Sequence, residues 1–428
     1  MATFSELPAQ ELAPGLPIRR FRAENGLRLY LLVDRSAPVV SYQTWFGVGS
    51  RHEQPGKTGL AHLFEHLMFK ATKNYGPGEF DRLLEAAGAE TNAATWTDWT
   101  CYYENLPARK LPVAVALESD RMQHLVLNDE QVASEREVVA NERRYTVDDD
   151  VEGTVGERLY AMAFERHPYR WPTIGWMEDI HGFTVEDCLG FYDRYYSPAN
   201  ASLVVVGDVD EEETLALIGD AYGHIQKGAV PNGVATGEPV QSEERRARLE
   251  QPTDTAKLSV GYRGVEYGHF DHAVVTVLNE ILCGGRSSRL FRRFVTDGEL
   301  ATEASASIAP FRDPGLYDFW VSARPGIAPD QLLEVLDEEL AKLRSDGVLP
   351  SELQKAKNRL ELSFLSGLET ASGKADQIGF SVAVLDQPAF PFVRLEEYRR
   401  VAAEDIRRVA ETVLDDAHRS VLLVDPAA

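Results

Sequence analysis

The stretch His62-Leu63-Phe64-Glu65-His66 decides how this chain is read. Residues four apart lie on one face of an α-helix, so His62 and His66 project side by side and can share one cation. Glu65, three after His62, flanks that face without filling the space between the rings. The order is the inverse of the zinc-hydrolase motif H-E-x-x-H. The flanks agree with a helix: Leu60, Leu63, Phe64, Leu67 and Met68 form an apolar stripe opposite the histidines, and Thr58 stands where a cap is expected.

Outward from the motif, strand-like alternation runs through 27–33 and 39–48, parted by the turn formers Asp34, Ser36 and Pro38. After it come a loop with Gly76, Pro77 and Gly78, a helix over 79–87, a strand pair over 90–95 and 100–106, and helices to about Tyr145. A strand at 202–206 and a helix at 211–222 close this half. Between Gln226 and Gln251 the pattern lapses into Gly, Pro, Ser and mixed charge, which reads as a linker. The order then repeats: a strand over 256–262, an apolar helix over 271–283, a Gly-rich turn, a helix over 289–295, and strands over 303–310 and 315–323.

This repetition predicts an α+β fold by internal duplication, two homologous α/β-sandwich halves each with an antiparallel sheet and helices. The expected division is residues 1–225 with the metal site, a linker over 226–251, and 252–428 without metal. Where the first half has His62 and His66, the second has Val, Thr, Leu and Asn.

Composition narrows the function classes. A chain of 428 residues, 44% hydrophobic and 26% charged, can hold two or three globular cores. With 68 acidic against 44 basic residues the net charge is -24, which repels nucleic acid and anionic membrane and favours basic partners. Cys101, Cys188 and Cys283 form no C-x-x-C pair and fit a reducing, cytoplasmic setting. Residues 1–21 lack the apolar core of a signal peptide, and no apolar run approaches the ~20 residues of a membrane helix.

A catalytic zinc takes three protein ligands and keeps one position open, so two histidines need a third donor. The helix-forming segment Glu135-Arg136-Glu137-Val138-Val139-Ala140-Asn141-Glu142 places Glu135 and Glu142 two turns apart on one face, with Val138 and Val139 between them. Either carboxylate, set against apolar neighbours, calls for a cation.

On these residues the chain resembles the M16 metallopeptidases, the pitrilysin and mitochondrial-processing-peptidase family, in its smaller two-domain M16B type. That resemblance also covers Asn92-Ala93-Ala94-Thr95, Pro168-Tyr169 with Thr173-Ile174-Gly175, Tyr196-Ser197-Pro198-Ala199-Asn200 through Gly207-Asp208, and Cys283-Gly284-Gly285-Arg286-Ser287-Ser288-Arg289-Leu290. It implies half of a clamshell chamber and one Zn2+ per chain. The family's glutamate ligand follows the motif by about 76 residues, which selects Glu142 as third ligand and leaves Glu135 as the second acidic residue, tuning a ligand histidine. By the same resemblance Glu65 takes a proton from water and delivers it to the leaving amine. Asn92, Ala93 and Ala94 form an edge strand that pairs with an extended peptide.

One departure matters. Related active enzymes use an Arg and a Tyr, seven apart, to hold the substrate carbonyl. Here the corresponding stretch Phe294-Val295-Thr296-Asp297-Gly298-Glu299-Leu300-Ala301-Thr302 has Val295 and Thr302 instead. Val donates no hydrogen bond, and Thr lacks the reach of a phenol. The expectation is a zinc endopeptidase subunit completed by an M16-like partner carrying Arg and Tyr. The alternatives are a self-sufficient homodimer using Arg292 or Arg293, and a non-catalytic peptide-binding scaffold.

Overall fold

The computed structural model describes residues 4–228 and 237–427. Within the spans Met1–Glu142, Pro172–Ala235 and Leu365–Val393 they form one compact unit, and within Arg143–Trp171, Thr236–Phe364 and Arg394–Ala428 a second.

The first unit is built on strands β1 (Phe4–Ala13), β2 (Leu16–Ala23), β3 (Arg28–Val33), β4 (Val39–Phe46), β5 (Glu90–Thr95), β6 (Thr100–Pro107) and β7 (Ala201–Gly207). They make a seven-stranded sheet in the order β1-β2-β3-β7-β4-β6-β5. β7, Ala-Ser-Leu-Val-Val-Val-Gly, is buried along its whole length, as a β-branched strand covered on both faces should be. One face carries Tyr42, Phe46 and Tyr102 against helices α1 (Leu60–Leu67), α3 (Leu111–His124) and α4 (Asp129–Arg143), with α2 (Glu79–Ala87) beside α3. The opposite face carries Tyr30, Trp45 and Val204 against Ala375, Ile378 and Val382 of the helix Ala371–Leu385.

The second unit holds helix α5 (Val151–Ala163) and strands β8 (Arg245–Gln251), β9 (Lys257–Arg263), β10 (Ala301–Ile308), β11 (Leu316–Ala323) and β12 (Arg419–Pro426), in sheet order β10-β11-β9-β12-β8. This order repeats β5-β6-β4-β7-β3 strand for strand. In each set every pairing is antiparallel except the last, β3 with β7 and β8 with β12, which are parallel. The duplication read from the sequence is thus visible in the ladders, in mixed sheets rather than purely antiparallel ones.

Three local features differ from the expected pattern. Of the stretch expected as a linker, 229–236 lie outside the described residues, and 245–251 form β8. Its alternation of Arg and Glu with Ala and Leu suits an edge strand half in water. The hairpin β1–β2 occupies residues 4–23, where no strand is expected. The helix expected over 289–295 is a single α turn, Arg289–Phe291, continued as a π turn, Arg292–Thr296.

Candidate metal centre

Helix α1 buries Leu60, Ala61, Leu63, Phe64 and Leu67 and leaves His62, Glu65 and His66 on its partly open face. Phe64 fixes the rotation of the helix: it is fully buried, with its ring 5.7 Å from Phe191, 5.7 Å from Tyr192 and 4.5 Å from Tyr196. The start of α1 is fixed by backbone packing. Gly59 adopts φ +90°, and a Cβ there would lie 2.3 Å from the Ile174 carbonyl oxygen. Thr58, expected as the cap, instead donates to Asp179 Oδ2 at 2.6 Å. The capping acceptor is Glu53, whose carboxylate takes the N–H groups of Gly59 at 2.8 Å and Ala61 at 2.7 Å. Burial pushes the Glu53 carboxyl up to about 8, against those two backbone donors, which favour its charge.

The two imidazoles stand with ring centroids 4.9 Å apart. α4 brings Glu142 to both: 3.6 Å from its Oε1 to His62 Nε2 and 3.5 Å from its Oε2 to His66 Nε2. One donor atom from each of His62, His66 and Glu142 lies within 4.8 Å of the others. A tetrahedral ion bonded at about 2.0–2.2 Å sets its ligand atoms about 3.4 Å apart, close to these separations. His62 Nδ1 is buried without a hydrogen-bond partner. The donor set of two imidazoles and a carboxylate therefore fits zinc. Val139 and Ala140 are buried beneath this part of α4, whereas Val138 is 45% exposed, so only one of the two valines lies under the carboxylates.

Electrostatics separate the two histidines. Burial, partly offset by Glu142, lowers His62 to about 4, which keeps its ring neutral. Burial also opposes charge on His66, but hydrogen bonds to Glu135 and Glu142 outweigh it and raise this group to about 9. Glu135 lies one repeat before Glu142, with its Oε2 3.5 Å from His66 Nδ1 and its Oε1 2.6 Å from Lys70 Nζ. Lys70, one turn beyond His66, was not foreseen; its only sequence signal is that spacing. Burial raises the Glu65 carboxyl, with hydrogen bonds to Thr95 working the other way.

Thr95 ends β5, which among the described residues pairs only with β6 and forms the edge of the sheet. Along it Glu90, Asn92 and Ala94 are exposed, while Thr91, Ala93 and Thr95 are half-buried toward the face that carries α1. The structure thus brings His62, Glu65, His66, Glu135 and Glu142 together, with Asn92, Ala93 and Ala94 on the strand that Glu65 touches.

In the second unit Val295 packs against the core, and Thr302 donates to the Ser322 carbonyl at 3.3 Å. Arg292 pairs with Asp297 at 2.6 Å, and Arg293 with Glu338 at 3.1 Å. Asp150, in the acidic stretch Asp148-Asp149-Asp150 after Glu142, caps α5 by accepting from Gly153 N.

Residues 29–175 match the family described as Insulinase (Peptidase family M16), and residues 182–360 match the Peptidase M16 inactive domain. The chain is 30% identical over 412 residues to zinc protease PqqE of Helicobacter pylori, covering 94% of this chain and 91% of that protein. It is 26% identical to the uncharacterized zinc protease YmxG of Bacillus subtilis, covering 96% and 98%. Among solved structures, a protease from Helicobacter pylori superposes with a TM-score of 0.91 at 28% identity over 100% of both chains. A putative M16-like peptidase from Alicyclobacillus acidocaldarius gives 0.83 at 22% identity, covering 99% and 100%, a likeness of fold.

Proposed function

The chain belongs to the M16 peptidase family, and on that premise we propose that it is the zinc-bearing subunit of an endopeptidase that hydrolyses oligopeptides or processes precursors. The observation that carries this reading is the junction of two features in one unit. His62, His66 and Glu142 converge on one point, and Glu65 beside them touches the end of an open edge strand.

In this reading His62, His66 and Glu142 hold one zinc ion. Bound zinc supplies Lewis acidity, polarising a peptide carbonyl and acidifying water. Glu65, its carboxyl raised by burial, takes a proton and returns it to the departing amine. Glu135 holds the His66 ring through Nδ1, and Lys70 balances its charge. β5 offers the unpaired N–H and C=O groups around Asn92, Ala93 and Ala94 to an extended peptide. In this proposal the catalytic domain is drawn from residues 1–225 without Arg143–Trp171, which lie in the second unit, and the domain without metal from 252–428 without Leu365–Val393, which lie in the first.

The absence of Arg and Tyr at 295 and 302 supports a partner subunit, M16-like and carrying that pair, over a homodimer. Arg292 and Arg293, the candidate replacements, already hold carboxylates of their own unit. The described residues contain no helix long and apolar enough to cross a membrane. The three free cysteines support a cytoplasmic location. The test is direct. The purified chain should bind about one zinc per chain by elemental analysis and cleave peptides slowly until the partner is added. Full turnover by the chain alone overturns the partner, and no zinc uptake overturns the site.

A further inference from the structure

The face of the first sheet opposite α1 carries a cavity of about 590 Å³ that the zinc site does not use. Strand register shows how it is lined. Glu90 of β5 pairs with Asn105 of β6, and Asn105 with Ser41 of β4. Paired residues in antiparallel ladders share a face, so these three form one row. The next row is Asn92, Tyr103 and Gln43. Gln43 donates to Asp376 Oδ1 at 2.7 Å, which places both rows under the helix Ala371–Leu385. The cavity lies over the first row, lined by Ser41, Glu90, Tyr103, Asn105 and Asp376, with Thr370–Ser372 at the start of that helix.

Its chemistry is that of an acceptor. Glu90 is a solvent-exposed carboxylate, Asp376 is an exposed residue whose carboxyl accepts from Gln43 and is raised by burial, and Asn105 Oδ1 is a buried oxygen with no hydrogen-bond partner. Among the described residues lining it there is no lysine or arginine. The helix start brings roughly half a positive charge, less than the two carboxylates together, and Thr370 already caps Gly373 N. Tyr103 adds an aromatic ring able to take a cation on its face.

Position gives this cavity its meaning. Glu65 meets β5 at Thr95, and Glu90 is five residues away, about 17 Å along the strand. A peptide residue lying opposite Glu90 turns its side chain to the Glu90 face. From there Asn105 is two strand spacings inward, about 10 Å between backbones, which selects long side chains. We infer that this cavity is a subsite for a lysine or arginine side chain of the bound peptide, about five residues from the bond that is cut.

This inference rests on the reading of β5 as the peptide-binding edge, and the experiment separates the two. The full-length Glu65→Gln chain, loaded with zinc, binds fluorescent extended peptides in which one lysine, or the uncharged isostere norleucine, is moved along the sequence. Lysine should tighten binding about fivefold at one register only. That preference should vanish in Glu90→Gln and in Asp376→Asn, the latter keeping an acceptor for Gln43, with melting curves confirming that both variants fold. A preference spread over all registers shows general attraction to a chain of net charge -24 and overturns the subsite, as does a preference that survives both variants. Binding with no lysine preference breaks the subsite and leaves the edge-strand reading standing. No binding by any peptide breaks both.

Discussion

Helix α1 and the helix Phe270–Cys283 occupy equivalent places in two sheets of the same strand order, yet one carries the proposed metal site and the other packs as core. α1 has eight residues, of which the three polar ones share a half-open face. The second helix has fourteen, and buries His272, Ala273, Val274, Val275, Val277, Leu278, Ile281 and Leu282. Both contain histidine. His62 and His66 look toward carboxylates of α4, whereas His272 Nε2 lies 3.3 Å from the Ala309 carbonyl and its ring 5.2 Å from Tyr267. The second helix leaves Thr276, Asn279 and Glu280 on its half-open face, so the same architecture offers a candidate site only where that face carries histidines and a second helix supplies carboxylates against them.

The largest expected effect breaks this contrast if it fails. Glu142→Gln and His66→Ala should each reduce zinc to well below one per chain. Glu65→Gln should keep the metal and lower turnover of the active assembly by about a thousandfold. His272→Gln should leave zinc content unchanged. Elemental analysis of the four variants checks the metal content and a peptide-cleavage assay the turnover of Glu65→Gln, and zinc loss in His272→Gln would mean that the second helix is not the inert counterpart. Next in size, Glu135→Gln should weaken zinc binding about 10–100-fold by loosening the His66 ring, measurable by competition with a chelator. The conservative Glu135→Asp should restore part of it.

A smaller effect tests how α1 is held. Glu53→Ala leaves the buried N–H groups of Gly59 and Ala61 without their acceptor, which should cost about 2 kcal/mol of stability. The position before the second helix, His269, caps by a single bond to Asp271 N on an exposed surface, so His269→Ala should cost less than about 1 kcal/mol. Denaturant titration of the two variants compares them. Equal losses would remove the distinction between a tightly seated metal helix and an ordinary one.

The sequence was most legible where structure is local. His62, Glu65 and His66 are set by helical spacing, and strands β3 to β7 and β9 to β11 by runs of strand-forming residues, so their places follow from neighbours in the chain, whereas β1, β2, β8 and β12 lie where no strand is expected. Glu142 is remote, and residue pattern alone left it level with Glu135 until the family resemblance selected between them. Glu53 escaped because nothing within a helical turn or a strand period marks a side chain that acts across a loop, Lys70 is marked only by lying one turn beyond His66, and Thr95 was placed on the edge strand without its contact to Glu65. Thr58 had the right residue type for a cap and was drawn instead to Asp179. The helix Ala371–Leu385 covers the first sheet from a position more than 250 residues downstream of that sheet's edge strand β5, a packing that no local pattern reveals.

The last and smallest effect turns on the second unit's own histidine. Burial, reinforced by the nearby Arg394, pushes His272 down to about 3 from an ordinary value of 6.5. An unfolded chain takes up this proton near 6.5, while the folded one resists it until about pH 3. The stability this group contributes is thus complete above pH 6.5 and is lost progressively as pH falls toward 3. A single proton sets the limit at about 1.4 kcal/mol per pH unit. His272→Gln removes the proton uptake, so between pH 6.5 and 5.5 its unfolding free energy should fall less steeply than that of the unaltered chain, by no more than that limit. Identical slopes would show that the ring is not held neutral in the fold. The contrast between a histidine kept for metal and one kept for packing would then lose its second half.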